Sequence, residues 1–108
     1  MFEYWSDDFT RPLRRVVDPP QPVLVDLTIA LPSAGAFRRD AVSMRVKAGG
    51  LHLAAGKVPG LLYAWARCTD GAWIGLAGFA IPTGNGRGRV ETRQWCPARA
   101  LSLVRSSR

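Results

Sequence analysis

The sequence predicts an all-β chain: a small barrel of five to six short antiparallel strands behind an irregular N-terminal arm. Three observations lead there. Several stretches alternate apolar and polar residues with a period of two, glycine-rich turn signals separate them, and no segment keeps a long 3.6-residue apolar period. Many short strands with such turns read as a sheet closed on itself. The 108 residues suit one domain, divided into an arm and proline-rich connector over residues 1–22 and a barrel over residues 23–108. Hydrophobic residues make up 47% and charged residues 21%, a globular balance.

In the arm, Phe2, Tyr4, Trp5 and Phe9 gather beside Asp7 and Asp8. Docking of these rings on the core is the first expectation, a hook for a partner the second. Ser6 is placed to cap a short helix that Pro12 would stop. Asp18-Pro19-Pro20-Gln21-Pro22 reads as a stiff, extended connector, since proline fixes φ and lacks an N–H.

Val23 to Leu31 alternates and predicts the first strand, ended by Pro32-Ser33-Ala34-Gly35. Ala41 to Lys47 alternates again, with Val42, Met44 and Val46 against Ser43, Arg45 and Lys47, and predicts a second strand broken by Gly49-Gly50. Gly60 to Cys68, with Tyr63 and Trp65 on one face, and Ala72 to Ile81 form a hairpin about Thr69-Asp70-Gly71. Gly75 and Gly78 suggest a bend or bulge there. Pro82 to Gly86 is a turn with Asn85-Gly86 at its tip. Arg87 to Trp95 is a polar strand, and Leu101 to Val104 closes the fold.

Fifteen Lys and Arg against eight Asp and Glu give a net charge of +7. The excess is regional. Residues 1–40 hold five bases and six acids, whereas residues 41–108 hold ten bases and only Asp70 and Glu91. The arginine-rich, lysine-poor composition matches GC-rich coding and explains arginine content without function, but coding bias acts on both regions alike. A positive field over residues 41–108 would attract nucleic acid, an anionic surface or an acidic protein.

The loop from Thr83 to Arg89 is not a nucleotide cradle. It lacks the Lys-Ser/Thr and the helix of one glycine-loop pattern, and Arg89 stands where the other needs glycine. It reads either as a solvated turn or as a hairpin tip presenting Arg87 and Arg89 to phosphate oxygens. Arg89, Glu91 and Arg93 share one strand face. Arg45 and Lys47 share another, and if the two adjoin they make a basic patch beside Trp95.

Catalysis finds little footing. His52 is the single imidazole, and no nucleophile motif or placed carboxylate pair is present. No cofactor is expected. Cys68 and Cys96 lack the spacing of a zinc site and read as free thiols. The acidic start lacks the pattern of an export signal, and no apolar run reaches membrane-spanning length, so a cytoplasmic protein is expected.

The segment Asp70-Gly71-Ala72-Trp73, a strand to Ile81, a glycine turn from Gly84 to Gly88, then Trp95-Cys96-Pro97-Ala98-Arg99-Ala100-Leu101 resembles the second half of an Src-homology-3-like (SH3-like) barrel. The likeness covers about a third of the chain. It implies a small barrel whose last strand follows a single helical turn. Trp73 and Pro97 match two groove positions of the peptide-binding members; Ala100 stands where a tyrosine ring would be and Gln94 where a glycine would be. Core filling and groove lining are both open for Trp73. Barrels of this shape also bind nucleic acid or dock within larger complexes, and fold alone does not choose between them.

The expected function is a non-enzymatic binding module for nucleic acid. Arg45, Lys47, Arg87, Arg89 and Arg93 would contact phosphate, and Trp73 or Trp95 would stack. The rival is a protein-interaction adaptor or subunit with a groove around Trp73, Trp95 and Pro97.

Overall fold

The computed structural model describes residues 1–5, 13–31 and 42–104. The expectations placed on Ser6, Asp7, Asp8, Phe9 and Pro12, on the turn from Pro32 to Gly35, and on Ala41 lie outside the described residues. Five strands carry the fold: β1 (Arg14–Asp26), β2 (Lys57–Arg67), β3 (Trp73–Pro82), β4 (Arg89–Pro97) and β5 (Leu101–Leu103). They form one antiparallel sheet in the order β4-β3-β2-β1-β5, curled into a half-barrel. The all-β expectation holds.

The two hairpins follow their turn chemistry. Gly71 and Gly86 adopt φ values of 89° and 72°, the left-handed region that side chains disfavour. Asp70 accepts from the Ala72 N–H, and Asn85 accepts from the Arg87 N–H, so each turn is closed by its own short polar side chain.

Three sequence expectations need correction. The predicted strand Ala41–Lys47 is instead a helix, α2 (Met44–Gly49), started by Ser43, whose hydroxyl accepts from the Val46 N–H at 3.3 Å. The strand predicted through Leu31 stops at Asp26. There the carboxylate accepts from the Thr28 N–H and hydroxyl at 3.0 and 2.6 Å and starts a one-turn helix, α1 (Leu27–Ala30). The proline-rich stretch is part of β1. Its pairing with β2 shifts register between Val16 and Gln21, so Pro19 and Pro20 fall where no ladder bond is required of them.

A second irregularity sits in β2 rather than at the glycines of β3. Leu62 pairs with Ala77 and Ala64 with Leu76, which leaves Tyr63 as the extra residue. The bulge exchanges the faces of β2. Leu62 joins the core before it, and Trp65 packs against the core after it. Tyr63 lies on the outer face over Gly78, where a Cβ would come within 3.0 Å of its ring.

The concave face buries Val23, Val25, Leu27, Leu62, Ala77, Phe79, Ile81, Cys96 and Ala100. On the outer face Phe2 stands 6.2 Å from Trp95, and the Arg14 guanidinium lies 5.9 Å from the Phe2 ring and 6.0 Å from the Trp5 ring. Two of the arm's rings thus sit against the sheet.

Both cysteines are free. Cys96 is buried and Cys68 half-buried. Burial pushes the Cys96 thiol up from its ordinary 9.0, with a hydrogen bond to Gln94 opposing in part. The neutral thiol is the form the fold accommodates. Stability therefore holds below pH 9.0 and falls as rising pH ionises Cys96 in the unfolded chain. Cys96→Ala should flatten that alkaline decline in urea melts, and in the wild type a thiol reagent should label Cys68 well before Cys96. The register makes a second prediction. Leu62→Ala should cost about 2–5 kcal/mol in the same melts, and Leu61→Ala, on a partly exposed neighbour, under about 1 kcal/mol.

Candidate nucleic-acid interface

The cations gather at one end of the sheet because main-chain hydrogen bonds hold α2 against the β3–β4 turn. The Gly84 N–H donates to the Gly50 carbonyl at 2.9 Å, and the Asn85 N–H donates to the Ala48 carbonyl at 2.8 Å. The Ala48 carbonyl of α2, which no helical N–H can reach, is thereby satisfied by the turn. The approach is so close that a Cβ on Gly84 would overlap the Lys47 carbonyl oxygen. Leu51 bridges Thr83, and the His52 N–H donates to the Pro82 carbonyl at 2.8 Å, extending the seam.

This seam puts Arg45 and Lys47 on the helix beside Arg87 and Arg89 on the turn and strand. Arg45 and Lys47 thus lie on a helix and not on a strand face. All four side chains belong to exposed residues. Lys57 starts β2 at the same end, opposite Asp26. The described acids there are both engaged. Asp26 is held below the usual carboxylate range first by the hydrogen bond from the Thr28 hydroxyl, with the Lys57 charge adding to it. Glu91 lies 3.6 Å from Arg89 in an exposed pair. Among the described residues, Arg45, Lys47 and Arg87 form no ion pair.

The rings are elsewhere. Trp73 and Arg89 stand at opposite ends of the β3–β4 ladder, roughly 30 Å apart along the strand at about 3.3 Å per residue. Trp95 is opposite Leu76, on the edge strand, and carries Phe2 on its outer side. Pro97 is opposite Ile74. Trp95 follows Arg93 on the outer face, about 20 Å along the strand from Arg89. Arg93 follows Glu91 along the outer face, its guanidinium 3.9 Å from the centre of the Tyr63 ring.

Two hollows join residues from neighbouring strands. Arg15, Trp65 and Trp73 line a cavity of about 230 Å³, with Arg67 5.7 Å from the Trp73 ring. Tyr63, Gly78, Glu91, Thr92 and Arg93 line an open cleft of about 450 Å³. Period-two alternation around Tyr63 could not reveal either, because the bulge reverses the face beyond it.

Comparison with protein-family models, with curated proteins and with solved structures gave no match. Among the described residues no cluster of potential metal ligands occurs, and no helix is long and apolar enough to cross a membrane.

Gly84→Ala should loosen this end selectively. Hydrogen exchange at the Gly84 and Asn85 amides should accelerate at least about tenfold if the seam opens, equivalent to about 1.4 kcal/mol of local opening. Gly49→Ala, with nothing within 4 Å of its Cβ, should leave those amides unchanged.

Proposed function

We propose that the chain is a non-enzymatic, SH3-like binding module for nucleic acid, working through its cationic end. The main-chain seam of α2 and the β3–β4 turn carries this reading. It brings Arg45, Lys47, Arg87 and Arg89 to one end, where Glu91 pairs with Arg89 and Asp26 lies opposite Lys57. Four forked or ammonium donors at one end of a rigid sheet suit a line of phosphates, whose counterions they displace. Bases need not be stacked for that contact, which agrees with the distance of Trp73 from the cations. Arg93 lies further along the outer face and would extend the track.

The SH3-like assignment is supported by the strand order, by the 3-10 turn at Ala98–Ala100, and by the return of β5 onto β1. Free Cys68 and Cys96 agree with a cytoplasmic setting, where thiols stay reduced.

A second reading takes support from the cavity of Arg15, Trp65 and Trp73. Paired indoles with a guanidinium at the rim suit a partner peptide, and that site lies at the other end of the sheet.

Fluorescence anisotropy with a labelled DNA duplex and a labelled single strand separates the two. Phosphate binding predicts log affinity falling linearly with log salt, and Arg45→Ala with Arg87→Ala lowering the slope by about 1–2. Trp73→Ala should leave that binding within about twofold, a change of under about 0.5 kcal/mol. Salt-independent binding, or loss on Trp73→Ala alone, would overturn the nucleic-acid assignment.

A further inference from the structure

We propose that β4 is a dimerisation edge that pairs antiparallel with β4 of a second copy of this chain, centred on Thr92. Among the described residues no strand pairs with β4 on its outer side. The edge is nine residues long, and proline enters only at its last position, Pro97. An open edge of that length is a template for another strand.

The hydrogen-bond phase of the edge follows from the hairpin. The Thr83 N–H donates to the Gly88 carbonyl at 2.9 Å, so this pair is a bonded one. Alternation then turns the main-chain groups of Val90, Thr92 and Gln94 toward β3, and those of Arg89, Glu91, Arg93 and Trp95 outward. Pro82 and Pro97 both fall in unbonded positions, where the missing N–H leaves no gap in the β3–β4 ladder. The four outward residues are the ones a second strand would bond.

Their side chains choose both partner and register. A two-fold axis at Thr92 sets Glu91 opposite the second copy's Arg93, twice, and Arg89 opposite its Trp95, twice. Every bonded pair then joins opposite charges or a guanidinium with an indole. The neighbouring bonded registers fail at the axis: centring on Glu91 faces two carboxylates and centring on Arg93 faces two guanidiniums. Arg89 and Glu91 already show the needed freedom, with side chains 70% and 77% exposed. The inference shares Arg89 and Arg93 with the proposed phosphate track, but it is read out by dimerisation and not by nucleic-acid binding.

Sedimentation equilibrium on the full chain tests it. The wild type should be a reversible dimer. Glu91→Arg and Arg93→Glu, alone, should each weaken dimerisation by about tenfold or more, because both symmetric pairs become repulsive. An equimolar mixture of these two variants should dimerise again, and so should the chain carrying both exchanges. Mild oxidation should link Thr92→Cys to itself across the axis, where Cα atoms would lie about 4.5 Å apart, and should leave Val90→Cys unlinked. A wild type that stays monomeric at millimolar concentration overturns the proposal. So does a dimer indifferent to the single exchanges, or a mixture that fails to recover. If a single exchange fails to fold by circular dichroism, the two cysteine variants decide: linkage at position 92 alone supports the edge, and any other pattern overturns it.

Discussion

The half-barrel depends on one short stretch of β1 being paired on both sides. Val23 and Val25 lie opposite Gly60 and Val58 of β2 along one edge and opposite Leu103 and Leu101 of β5 along the other. Both valines are essentially inaccessible to solvent. β5 is thus returned to β1, and the sheet curls around the apolar face that results. Leu62, Ala77, Phe79, Ile81 and Cys96 arrive on that face through the ladders β1–β2, β2–β3 and β3–β4. Burial of these side chains supplies the drive, and the ladders satisfy the main chain as it is buried.

Much of this was legible because alternation has a direct physical meaning where one face is buried. β2, β3, β4 and β5 fell close to their expected places, and Asp70-Gly71 and Asn85-Gly86 made the expected turns. The failures also have causes. Val42, Met44 and Val46 alternate, but no described strand is there to be paired. Ser43 offers a helix start, and the whole of α2 is exposed, so the pattern reported no buried face. Asp26 followed by Thr28 was a capping signal hidden inside an apolar run. Pro19 and Pro20 signalled an extended chain, yet a register shift admits them to a strand.

The candidate site was legible in part. Charge asymmetry along the chain singled out Arg45, Lys47, Arg87, Arg89 and Arg93, and the fold gathers the first four at one end. Trp73 stands a strand's length from the turn that carries Arg87, whereas Trp95 follows Arg93 on the outer face. The expectation that Tyr63 and Trp65 share a face fails at a bulge that no residue type announces. Cross-strand company is a property of register, and register is set by the sheet as a whole.

The attachment of α2 is indifferent to its own side chains. None of them is buried, and the turn's hydrogen bonds to this segment go to the main-chain carbonyls of Ala48 and Gly50. Such an element can drift through many sequences while its backbone stays put. Surface chemistry at that tip is therefore open to retuning by point substitution, with the load of folding carried elsewhere.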